Sequence, residues 1–169
     1  AELAAGGLGA ASYSFVSIFC VGVLAAVGNL IAIRHGAGDS TGVTRLAQNG
    51  LWLAGGLALA SGLLLWNLGP LLARFGQEPH NIKGAMQFLS TLVFALPGYL
   101  GFMALRGFPA AIGRPGPVMA ISIGGAAANF ALNWALIHGW FGLPPLGLAG
   151  IGLVTALVAN VMTLLLFLH

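Results

Sequence analysis

Polar residues in this chain gather into short clusters, and five long apolar runs lie between them: Leu8–Ile33, Leu46–Leu72, Ala85–Leu105, Val118–His138 and Leu146–Leu168. Each is long enough for a helix crossing a hydrocarbon core, which takes about 20 residues. The predicted fold class is therefore all-α: a polytopic membrane helical bundle of about five transmembrane helices. The connections read RHGAGDSTGVTR, GQEPHNIKG, RGFPAAIGRPGP and GWFGLPPLG. The third run contains Pro97 within FALPGYLGF. A proline there removes a backbone hydrogen bond and crowds the preceding turn, so Pro97 predicts a bend, fixed by packing or used in movement.

Two amides interrupt the fourth run. In AANFALNWAL, Asn129 and Asn133 are four residues apart, which puts them on one face of a helix. Gln87, Ser90 and Thr91 lie in the third run, and Thr155 and Asn160 in the fifth. An amide in hydrocarbon without a partner costs roughly 2–7 kcal/mol, so these groups must face protein or a watery cavity. Spacing alone leaves interhelical bonding and a cavity wall equally open.

Composition agrees with the membrane reading: 59% of residues are hydrophobic, 5% are charged, and mean hydropathy is +0.98. Nine charged residues, six basic and three acidic, cannot cover a soluble domain of this length. The net charge of +3 is scattered, with no basic run, so no nucleic-acid partner is expected. The first and third connections carry Arg34, Arg45, Arg106 and Arg114, against Arg74 and Lys83 around the second and none in the fourth. That bias predicts cytoplasmic first and third connections. Trp66, Trp134, Trp140 and Phe141 then fall toward outer span ends and Trp52 toward an inner one, as interfacial anchors do. Glycine is frequent in the spans, and Gly124 with Ala128 forms a small-residue pair suited to close helix packing. The chain opens on Ala1-Glu2 almost directly into a span, with no leader pattern, and stops as the last span ends. Both features suggest a piece of a longer protein.

Enzyme chemistry finds little support. Glu2, Asp39 and Glu78 sit at span ends or in loops, and His35, His80, His138 and His169 lack metal-ligand spacing. Cys20 stands alone, which rules out an intrachain disulfide. GLAGIG at 147–152 lacks the lysine and preceding strand of a phosphate loop. No cofactor is expected.

The polar positions belong to longer patterns: GNLIAIRHGAGD (28–39), RLAQNGLWLA (45–54), LLLWNLGPLLARFGQEP (63–79), ALPGYLGFMALRGFPAAIGRPGPVM (95–119) and NFALNWALIHGWFGLPPLGLAGIGLVTALV (129–158). In these blocks, which cover essentially the whole chain in order, it resembles the NorM-type branch of the multidrug and toxic compound extrusion (MATE) transporters. The resemblance implies a twelve-helix transporter of two six-helix lobes, with residues 1–169 forming helices two to six of the amino-terminal lobe. The first helix and the carboxyl-terminal lobe lie outside the chain.

It further implies multi-pass residence in the bacterial inner membrane. The implied activity is export of cationic, often aromatic drugs in exchange for Na⁺ or H⁺ by alternating access. By the same resemblance, Asn129, Asn133 and Thr155 line the substrate or cation site, Na⁺ binds near Asn129 and Asn133, and Pro97 falls on the bend-prone fourth family helix. Implied partners are the drugs, the lipid bilayer and the remaining helices of the full-length transporter. Two departures stand out. The family's first-helix aspartate is absent, and position 133 is an amide where some relatives carry an aspartate, so it cannot titrate. Two other classes compete: a flippase for lipid-linked sugars, which would need cationic groups in its cavity, and a non-transporting scaffold. Arg106 alone lies near a span interior, close enough to the inner interface to snorkel.

Overall fold

All regular structure among the described residues is helical. The computed structural model describes residues 2–137 and 147–168. Eight helices follow in order: α1 (Glu2–Gly36), α2 (Ser40–Trp66), α3 (Gly69–Arg74), α4 (Pro79–Leu92), α5 (Ala95–Leu105), α6 (Gly107–Ala111), α7 (Gly116–Ile137) and α8 (Gly147–Leu168). Four of them (α1, α2, α7 and α8) are long and apolar enough to cross a membrane, and α4 with α5–α6 makes a bent fifth. The chain is thus a multi-pass membrane protein built as an all-α bundle. The fourth connection, with Trp140, Phe141 and His138, lies outside the described residues, as does His169.

Glycine in the left-handed region closes three of the helices. Gly38, Gly76 and Gly113 have φ of 73°, 73° and 74°. At each, the following N–H reaches back five residues: Asp39 to Arg34 O, Gln77 to Leu72 O and Arg114 to Pro109 O. This is the Schellman closure, in which a residue without Cβ takes φ > 0 at no steric cost. Asp39 then opens α2. One of its carboxylate oxygens accepts from Gly42 N–H at 2.8 Å, and the other pairs with Arg34 at 3.1 Å. The first connection is therefore a compact cap-to-cap turn.

Two predicted runs are broken in the structure. The run expected to continue to Leu72 ends as a helix at Trp66, where the Asn67 side chain donates to Leu63 O at 2.9 Å. Pro70 then starts the separate short helix α3 at a position where a missing N–H costs nothing. Leu68 and Leu72 are still buried in the core, so the apolar run outlasts the helix because packing continues after the axis turns.

The third run divides at Val93–Phe94 into α4 and α5, and α4 meets the segment Ala95–Ala111 (α5 with α6) at 52°. Pro97 lies in the first turn of α5, and the residue four before it is Val93. Its missing N–H leaves the Val93 carbonyl without the usual helical donor; Leu96 N–H reaches that carbonyl instead at 3.1 Å. The bend therefore sits one turn before the proline itself.

Cys20, Leu24, Leu65, Leu89, Leu96 and Leu100 knit α1, α2, α4 and α5 into the main core. A second cluster, Phe88, Leu92, Ala95 and Ala156, attaches α8. The close approach expected at Gly124 and Ala128 occurs elsewhere. Both are exposed, and Gly125 is the buried one, against Met162 of α8. The tightest backbone contact is at Gly98 on α5, where a Cβ would lie within 2.7 Å of Asn160 Cα on α8. By contrast, α7 is peripheral: only 6% of its membrane window is buried.

Candidate functional site

Three helices each turn one face toward a shared cavity of about 600 Å³. From α5 and its C-cap come Tyr99, Phe102, Met103 and Arg106; from α7, Ser122, Ala126, Asn129 and Asn133; from α8, Thr155, Val158, Ala159 and Met162. The α5 and α8 sets follow the i, i+3, i+4, i+7 pattern and the α7 set is three or four apart, the repeats that align side chains on one face. Phe130 adds a further aromatic wall and stacks on Trp134, with ring centroids 6.1 Å apart. The cavity has two unlike ends. Arg106 and Ser122 lie toward the loop that joins α5 to α7, and Asn133 and Thr155 lie toward the other end.

The structure brings Asn129, Asn133 and Thr155 into one hydrogen-bonded chain, and its direction follows from counting protons. Thr155 Oγ1 gives its only proton to Ile151 O at 2.9 Å, so toward α7 it can only accept. Asn129 Nδ2 donates to it at 3.5 Å, a long bond across the helix pair. Asn129 Oδ1 in turn accepts from Asn133 Nδ2 at 3.0 Å. The chain ends on Asn133 Oδ1, which is buried and has no donor. An unsatisfied buried acceptor costs about 1–3 kcal/mol, and a cation or an N–H donor would recover that cost. The oxygens available here are neutral amides and a hydroxyl. Among the described residues, no cluster of three or more His, Cys, Asp or Glu could hold a metal ion.

The other polar residues of the spans do different work. Ser90 and Thr91 donate to the carbonyls of Gln87 and Phe88 within α4, each at 2.8 Å. Asn160 donates to Phe94 O at 2.9 Å, and Thr163 donates to Gly98 O. Both therefore bind α8 to the start of α5, beside the bend. Pro97 is exposed and does not line the cavity; its link to the cavity is that it begins the helix bearing Tyr99, Phe102 and Arg106.

Tyr99, Phe102 and Phe130 belong to the site although the sequence alone does not single them out. The repeat of Tyr99, Phe102, Met103 and Arg106 at helical spacing was a usable signal. It was hidden because aromatic and methionine residues at that spacing are ordinary core residues too.

Comparison with known proteins places these helices in a family. The MatE family model matches residues 1–135. A probable multidrug resistance protein NorM of Pseudomonas syringae is 67% identical over 99% of this chain, which corresponds to 36% of that protein. One of the same description from Pseudomonas aeruginosa is 68% identical over 99% of the chain and 34% of its own length. The multidrug resistance protein PmpM of Pseudomonas aeruginosa is 35% identical over 93% of the chain and 33% of its own length. The chain thus spans about a third of the length of these curated relatives. With the family model matching most of its residues, the chain belongs to the MatE family.

Proposed function

We propose that residues 1–169 form most of the amino-terminal lobe of a longer multidrug efflux transporter of the bacterial inner membrane. It exports organic cations in exchange for Na⁺ or H⁺ by alternating access. The observation that carries this is the amide chain ending on the unsatisfied Asn133 Oδ1, set in a cavity walled by Tyr99, Phe102 and Phe130. A flat organic cation is matched twice there, by the carbonyl-type oxygen and by aromatic faces that attract positive charge. The printed descriptions of the relatives, which name multidrug resistance, point the same way. Exposed apolar residues such as Phe15, Ile18, Phe19 and Trp52 suit contact with lipid, and the remaining helices of the transporter would cover α7.

A coupling ion drives export only if it and the drug favour different states of the two lobes. Neutral oxygens at Asn129, Asn133 and Thr155 suit Na⁺ near the two amides, whereas proton coupling would require an acid from another part of the transporter. The test is efflux of a fluorescent cationic dye from vesicles containing the full-length transporter, under separate Na⁺ and H⁺ gradients. Asn129→Ala with Asn133→Ala should lower efflux sharply at equal expression. Unchanged efflux and ion dependence in that double variant would remove the two amides from the site. Flipping of a lipid-linked sugar is a second reading, favoured by one observation, the presence of Arg106 in the cavity wall. A single guanidinium is little for a diphosphate headgroup, and dye efflux without lipid flipping would dismiss that reading.

A further inference from the structure

Among the described residues Arg106 is the one cation in the wall of the amide cavity, and it also lines a second crevice of about 370 Å³, beside Asn29 of α1. Its backbone is held at two points. The Arg106 N–H donates to Phe102 O at 2.9 Å, and at the next residue a Cβ on Gly107 would lie 3.0 Å from Gly28 Cα of α1. Arg106 is exposed, and its guanidinium makes no ion pair or hydrogen bond among the described residues. Among the described residues no Asp or Glu lines either cavity, and Asp39 is engaged with Arg34 in the first connection. Along α7, the eleven residue steps from Ser122 to Asn133 separate the two ends of the cavity by about 16 Å, a distance the arginine side chain shortens.

We infer that Arg106 is a specificity-determining residue that recognises an anionic group, such as a carboxylate, on the far end of a ligand whose cationic or N–H end meets Asn133. The inference rests on the cavity's being the substrate site. Its geometry among the described residues is that of a site for zwitterions: an acceptor without a donor at one end, a guanidinium without an acid at the other, and aromatic walls between them. A guanidinium offers several N–H donors in a planar fork that fits a carboxylate. A ligand with only positive charge finds the same cavity but is repelled as it approaches Arg106. The cavity should therefore rank ligands by charge layout rather than by size.

The test uses two dyes with one aromatic body: rhodamine B, whose carboxylate makes it a zwitterion at neutral pH, and its ethyl ester, a monocation. Binding of each to the purified full-length transporter is followed by fluorescence polarisation. Arg106→Gln should weaken rhodamine B binding about tenfold, the scale of one charge interaction at a partly exposed site, while the ester binds equally well or better. Retained ester binding also shows that the variant is folded. Arg106→Lys should keep most of the rhodamine B preference. Ser122→Glu, which sets an acid near the guanidinium with Arg106 intact, should erase it.

Equal losses for both dyes in Arg106→Gln, or no loss for either, would overturn the inference and leave Arg106 as an interfacial anchor to lipid phosphate. So would a rhodamine B preference that survives Ser122→Glu. Failure of the cavity as a substrate site is separately visible: both dyes would then bind undiminished to the Asn129→Ala, Asn133→Ala double variant.

Discussion

Asn133 offers an acceptor that nothing in the described chain satisfies, and Asn129 fixes the direction in which that acceptor points. Their roles should therefore separate on substitution. Asn133→Ala removes the acceptor itself and should weaken cationic dye binding by on the order of 1.5–3 kcal/mol, the range for a hydrogen bond to a charged group. Thr155→Val leaves Asn129 Nδ2 without its acceptor and frees the amide to turn over. Dye affinity should fall there too, with a smaller effect than at Asn133. Equilibrium dye binding measures both, and an unchanged affinity in Asn133→Ala would refute the assignment.

Asn133→Asp gives a further test through pH. Only the deprotonated form of the introduced carboxylate attracts a cation. Dye affinity in that variant should climb as pH rises and the carboxylate loses its proton. The native amide should show no such step.

At the scale of elements, the junction of α4, α5 and α8 governs the shape of the cavity. Gly98 packs directly on the α8 backbone, so Gly98→Ala must push the helices apart. Overpacking of this kind costs about 1–3 kcal/mol, and thermal unfolding in detergent should detect it. Gly125→Ala meets only the flexible Met162 side chain and should cost less. The bend should respond to Pro97→Ala combined with Asn160→Leu. This restores a donor for the Val93 carbonyl and removes the Asn160 bond to Phe94 O. The distance between spin labels at Lys83 and Ala110, which lie on opposite sides of the 52° bend, should then lengthen. No change would mean that packing alone holds the bend.

The whole molecule is well filled on one side and open on the other. The core joins α1, α2, α4 and α5, while α7, which carries both amides, packs chiefly against α8. A membrane helix gains little from lipid in place of a neighbour, since association relies on close packing and polar contacts between helices. Residues 1–169 alone should therefore form a heterogeneous preparation in detergent, with fast hydrogen exchange along α7. Slow exchange there, in a monodisperse sample of this chain, would contradict the expectation. The full-length protein should show α7 protected.

How much of this could be read from the residues depends on the range of the interaction involved. Apolar runs of span length fixed the membrane class and the number of crossings, because hydrocarbon demands continuous internally bonded helix. Four-residue spacing placed Asn129 and Asn133 on one face, and a proline in the third run announced a bend, since these are properties of one helix at a time. Tertiary structure decided what those faces meet. Thr155 is twenty-six residues from Asn129, and their bond exists because α8 returns beside α7. The bend settled at Val93–Phe94, where the Pro97 ring leaves a carbonyl short of a donor and α8 brings Asn160 to the adjacent one. Arg106, which looked like an interfacial anchor, lies in the cavity wall because α5 ends where α7 begins its return. Local periodicity sets which side chains share a face. Only packing between helices sets which faces enclose a site.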